Sequence, residues 1–121
     1  MTSGITDKKV KLFTLGSYAT QTYYIRITDT SRSTQSQAIV TFINRNTSIY
    51  TNVLCKYGNL TLKLYAKKEG NNMIIYTDLA GITYPVIFIT RISYSIGNWD
   101  SRFNMEVDDD ADISSMIDIS I

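Results

Sequence analysis

The chain has no histidine, one cysteine, one proline and one tryptophan in 121 residues. Each shortage closes off a kind of chemistry. Without histidine there is no Ser-His-Asp or Cys-His catalysis. The usual nitrogen ligand of zinc and copper is missing too. The single thiol, Cys55, allows no intramolecular disulfide, so the chain folds without oxidation, as proteins made in a cytoplasm do. Set in Val53-Leu54-Cys55-Lys56-Tyr57, it reads as a small buried hydrophobe. The six glycines are scattered and make no G-x-x-x-x-G-K phosphate loop. No apolar run approaches the about 20 residues that span a bilayer. Met1-Thr2-Ser3-Gly4 leads straight into polar residues, with no signal peptide.

Charge is scarce as well. Lys and Arg number 12 against 11 Asp and Glu, for a net charge of +1. There is no positive excess to attract phosphate backbones, which argues against a nucleic-acid partner. Lys8, Lys9 and Lys11 open the chain, and Asp108, Asp109, Asp110 and Asp112 lie near its end. Both groups read as solvated termini. Asp108-Asp109-Asp110-Ala111-Asp112 starts like a calcium loop, but Ile113 stands where the loop needs Gly and Ile119 where it needs Glu. No metal or other cofactor is expected. Glu69, Asp78, Asp100 and Glu106 are the candidate catalytic acids outside that segment, and no pattern pairs two of them about one bond, as a glycosidase needs. The chain reads as non-enzymatic.

What is present is β-structure. With 44% hydrophobic and 19% charged residues the chain is globular. Its length suits one domain of the usual size, about 100–150 residues. Residues 1–121 are read as a single β-sandwich, with 1–8 a flexible start and 108–121 an acidic C-terminal segment. Apolar residues recur with period two. Leu60, Leu62, Leu64 and Ala66 fall on one face of a strand, with Thr61, Lys63 and Tyr65 on the other. Tyr23, Ile25 and Ile27 alternate in the same way with Tyr24, Arg26 and Thr28. Val10–Leu15 is less regular but β-rich. Further strands are expected over Ala38–Ile43, Ile49–Lys56, Met73–Thr77, Val86–Tyr94 and Arg102–Val107, and a last one over Met116–Ile119.

Turn chemistry separates these runs. Glu69-Gly70-Asn71-Asn72 is the strongest hairpin signal. Gly58-Asn59 marks another tight turn, and Pro85 opens its strand. Thr28–Ser36 reads as an exposed loop. About eight strands with turns between them give an all-β fold, an antiparallel β-sandwich that is jelly-roll-like; a small closed barrel is the alternative. The core is predicted to hold Ile25, Ile27, Leu60, Leu62, Leu64, Val86 and Phe88.

With catalysis set aside, binding remains. Nine tyrosines suit packed strand faces. Trp99 differs, standing in a loop among Asn98, Asp100 and Arg102, where a ring stacks on a sugar or plugs the end of a sandwich. The candidate receptor-binding patch is Tyr94, Asn98, Trp99, Asp100 and Arg102.

The succession Lys11-Leu12-Phe13-Thr14-Leu15-Gly16, Tyr23-Tyr24-Ile25-Arg26-Ile27, Ala38-Ile39-Val40-Thr41-Phe42-Ile43, Leu60–Ala66 and Val86-Ile87-Phe88-Ile89 resembles the C-terminal head domains of bacteriophage tail fibres and other receptor-binding proteins. That resemblance implies a β-sandwich head on a homotrimeric fibre. It implies a place in the virion, at the phage tail, and a bacterial cell-surface glycan or protein as partner, with no membrane insertion. Such heads do not catalyse. Two other classes stay open. One is a carbohydrate-binding module of a bacterial surface or secreted protein. The other is a structural virion component, a capsid decoration or baseplate piece.

Overall fold

The computed structural model describes residues 9–29, 35–82, 84–94 and 102–121, with 93–94 and 102–104 as backbone only. Among the described residues nine strands form two antiparallel sheets. They are β1 (Lys9–Leu15), β2 (Thr20–Thr28), β3 (Gln35–Asn44), β4 (Ile49–Gly58), β5 (Leu64–Glu69), β6 (Asn72–Asp78), β7 (Val86–Tyr94), β8 (Arg102–Val107) and β9 (Ile117–Asp118). The five-stranded sheet runs β8-β1-β6-β5-β9 and the four-stranded sheet β4-β3-β2-β7. β2, β3 and β4 form a meander, and β7 returns to lie beside β2, which is the Greek-key order. The fold is therefore the expected all-β sandwich.

The alternation of the sequence sets which faces meet. On β2 Tyr23, Ile25 and Ile27 are buried, and on β3 Ala38, Val40 and Phe42. From the other sheet come Leu64, Ala66, Met73 and Ile75. Phe13 on β1, Tyr23 and Phe42 join the two layers. The Phe13 ring stacks on Tyr23 with centroids 3.8 Å apart and meets Phe42 edge-on at 5.2 Å. Phe13 can do this because a β-bulge between Lys11 and Phe13 shifts β1 against both of its neighbours. A bulge re-aims a side chain. Here it leaves Leu12 and Phe13 buried side by side, the source of the irregular pattern in this strand.

Three expectations need correction. Val86 and Phe88 do not lie in the core: Phe88 is exposed and Ile87 is fully buried. Register on β2 decides this, since Ile27 pairs with Ile87 and Ile25 with Ile89, while Arg26 pairs with Phe88. Pairing on one face forces Phe88 outward, where Arg26 lies 5.8 Å from its ring centroid. Cys55 is half-exposed and not a core residue, because β4 pairs it with the outward Ile39. β5 begins at Leu64, four residues later than expected, and Leu60 is only partly buried. Within the acidic C-terminal segment the last residues are tied to the sandwich. Leu62 N–H donates to Ile121 O at 2.8 Å and Ile121 N–H to Leu62 O at 3.0 Å, and Ile119 and Ile121 pack on the core. The predicted flexible start, 1–8, lies outside the described residues.

Two glycines are fixed by conformation. Gly70, at φ 62°, makes the β5–β6 hairpin between Glu69 and Asn72, as the sequence indicates. Gly58, at φ 112°, ends β4 where any Cβ would collide with the backbone of Gln35 and Ser36.

Burial also governs two phenols. Tyr23 is pushed up to about 12 by burial, against the opposing pull of Arg91. Tyr76 is pushed up to about 12 by burial and by the charge of Asp108, whose Oδ2 accepts its hydroxyl at 3.2 Å. A folded-state value above that of the unfolded chain favours folding only while the phenol is protonated. Stability should thus hold to about pH 10 and fall between about pH 10 and 12, by up to about 1.4 kcal/mol per pH unit for Tyr23. Urea titrations across that window, repeated with Tyr76→Phe, check it; a flat profile would show that neither hydroxyl ionises on unfolding.

Candidate functional site

Strand pairing gathers one set of turns at one end of the sandwich. Leu15 pairs with Met73, Thr20 with Ile43, Gln21 with Tyr94 and Thr14 with Arg102. The β1–β2, β3–β4 and β5–β6 turns therefore emerge together, beside the end of β7 and the start of β8. This partly places the predicted patch. Tyr94 closes a strand of one sheet and Arg102 opens a strand of the other, both at this end. Asn98, Trp99 and Asp100 lie outside the described residues.

A buried amide ties the turns together. Asn44 ends the inward series of β3 and is fully buried. Its Nδ2 donates to Gly16 O and Asn71 O, each at 2.8 Å, and to Leu15 O at 3.2 Å. Its Oδ1 accepts from Asn46 N at 2.7 Å. The carbonyls of two neighbouring turns thus share one donor, and the amide's own turn is closed by its acceptor. Asn46 carries the network outward, its Oδ1 accepting from Ser17 Oγ at 3.0 Å and from Tyr18 N at 3.2 Å.

What this scaffold presents is Tyr18. It is 65% exposed and held at φ 56°, and Asn46 lies at φ 67°. Left-handed backbone at a residue with a side chain costs about 1–2 kcal/mol, and the surrounding bonds must supply it. Arg45 is exposed on the adjoining turn. The result is an exposed phenol held on backbone that Asn46 fixes, with Arg45 exposed on the turn that carries Asn46.

Two depressions lie on the outer face of the four-stranded sheet. The larger has a volume of about 200 Å3 and is lined by Tyr24, Gln37, Ala38, Ile39, Cys55 and Tyr57. The smaller, about 60 Å3, adjoins it at Gln35, Ser36 and Gly58. Both fall below the about 300–1,000 Å3 of most ligand pockets. Neither is lined by a carboxylate.

Among the described residues the candidate acids do not converge. Glu69 and Asp78 stand at opposite ends of the β5–β6 hairpin, and Glu106 pairs with Lys11 at 3.5 Å. Asp112 Oδ1 caps the short 3-10 turn Ile113–Ser115 by accepting from Ser114 N at 3.1 Å. Among the described residues no group of three or more His, Cys, Asp or Glu could hold a metal ion.

Tyr18, Asn44 and Asn46 were not singled out by the sequence. Asn46 sits in Arg45-Asn46-Thr47-Ser48, a turn composition that does carry a signal. Asn44 shows as the amide that follows the inward run Ala38, Val40 and Phe42. No local pattern marks Tyr18. No family model, curated protein or solved structure matches the chain.

Proposed function

We propose that the chain is a non-enzymatic recognition domain of the kind that heads a bacteriophage tail fibre, carried in the virion as a homotrimer and binding a protein or glycan of a bacterial surface. The observation that supports it is the end of the sandwich where Asn44 locks three turns and Tyr18 stands out on strained, tightly bonded backbone. Tyrosine with small polar neighbours gives contact area at low entropic cost. The chain from Tyr94 to Arg102 leaves and re-enters at that same end.

Binding of the labelled protein to a panel of bacterial cells tests this. Tyr18→Ala and Trp99→Ala should each weaken binding by about 30-fold, the effect of losing a contact worth about 2 kcal/mol. For Tyr18→Ala, an exposed position, the thermal midpoint should stay nearly unchanged. Binding that survives both substitutions would move the contact surface elsewhere, and a chain that binds no bacterial surface would overturn the reading. The depression between Tyr24 and Tyr57 favours a second reading, a carbohydrate-binding module. Loss of sugar binding on Tyr57→Ala, with Tyr18→Ala silent, would select it.

A further inference from the structure

Two sheets have four edges, and these edges differ. An unpaired strand edge offers N–H and C=O groups to any other chain and is ordinarily blunted by shortness, charge, proline or a bulge. β9 has two residues, one of them Asp118, and β8 has six, including Arg102 and Glu106. β4 and β7 have ten and nine, each interrupted by a single bulge, at Leu54 and at Ile92. β4 holds one charge, Lys56, and exposes Tyr50, Leu54 and Tyr57. β7 holds one charge, Arg91, and exposes Phe88 and Ile92. These two strands are the opposite borders of the four-stranded sheet.

We propose that copies of this chain join edge to edge through that sheet, β4 of one copy against β7 of the next, closing a ring of three. The inference rests on the recognition reading for the number three and on the edges for the contact. A ring needs two different, complementary patches on opposite sides of each copy. Two apolar borders of nearly equal length supply them. Direction fits as well. Every neighbour in β4-β3-β2-β7 is antiparallel, so β4 and β7 run in opposite senses. Rotation about an axis along the strands keeps those senses, and β4 meets the next β7 antiparallel, continuing the alternation of the sheet. Self-pairing of β4 about a two-fold axis would leave β7 uncovered. A strip about 30 Å long and about 15–20 Å deep gives about 900–1,200 Å2 per contact counted over both copies, at the lower bound of specific interfaces, and ring closure gives each chain two contacts.

Light scattering on single and mixed variants tests the arrangement. The unaltered protein should have the mass of three chains. Leu54→Lys and Ile92→Lys should each be monomeric, with an unchanged circular dichroism spectrum, since both positions are exposed. Mixed in equal amounts they should give the mass of two chains, because each variant keeps one intact edge and the pair cannot extend. A three-chain mass that neither substitution alters would overturn the edge contact while leaving the fibre-head reading in place. So would dissociation of the Leu54→Lys protein alone with no pairing on mixing. A monomeric unaltered protein at about 100 μM would overturn the ring, and cell binding that still depends on Tyr18 would show that recognition survives its loss.

Discussion

Phe13→Ala should remove about 3–5 kcal/mol of folding stability, the usual cost of emptying a fully buried aromatic site. The ring is completely buried. It lies flat on Tyr23 across the sandwich, with an interplanar angle of 12°, and at 70° to Phe42. One substitution therefore removes a stacked pair and an edge-on pair, each worth about 0.5–1.5 kcal/mol beyond burial. Collapse around the gap is restrained, because the backbone that could move inward is the bulge itself, hydrogen-bonded to β6 on one side and β8 on the other. A domain of this size has about 5–15 kcal/mol in all, so at least a fifth would go. The urea midpoint should fall with the slope unchanged. A loss under about 1 kcal/mol would mean that the three rings do not bridge the sheets.

Asn44→Asp should be nearly as severe at neutral pH, and its cost should depend on acidity. The substitution keeps the shape and replaces an NH2 group by an oxygen. The donor to Leu15 O, Gly16 O and Asn71 O disappears, and a carboxylate with no solvent contact faces those carbonyl oxygens. An uncompensated buried charge of this kind costs about 3–5 kcal/mol. Burial and the carbonyl oxygens both raise the folded-state value of the new carboxyl above its unfolded value of about 3.9. The variant is then least impaired below about pH 4, where the protonated group can donate one hydrogen bond, and it loses stability as pH rises from there. The difference in urea midpoint between the variant and the unaltered protein, measured from pH 3 to 7, reports this directly. A difference that does not change with pH would show the side chain in contact with water, and the tied turns would lose their anchor.

Much of the fold was legible because it is local. Tyr23, Ile25 and Ile27, and Leu62, Leu64 and Ala66, name their own faces. Gly70-Asn71 names its turn. Where the reading slipped, the deciding neighbour is distant in sequence. Val86-Ile87-Phe88-Ile89 is apolar at every position, so its phase comes only from Ile25 and Ile27 on β2. Cys55 looks like a core residue until its partner Ile39 turns it outward. Leu12 and Phe13 break alternation through a bulge that both neighbouring strands impose. The site was harder still. Tyr94 and Arg102 stand at the turn-bearing end, but Tyr18 gains its prominence from Asn46, which reaches it from another turn and is itself held by Asn44. No window of residues around Tyr18 contains that information.

The place of β1 bears on how the chain reaches this state. The first described strand lies inside the five-stranded sheet, between β6 and β8, and Val10 finds its partners at Thr77 and Val107. Early synthesis therefore yields an apolar strand whose ladder partners have not yet been made. Loop closure over such distances comes before any contact repays it, and sheets of this kind fold in about milliseconds to seconds. The β2–β3–β4 meander can form while β1 waits. That meander by itself leaves Tyr23 and Phe42 without their cover until Phe13 of β1 packs across them.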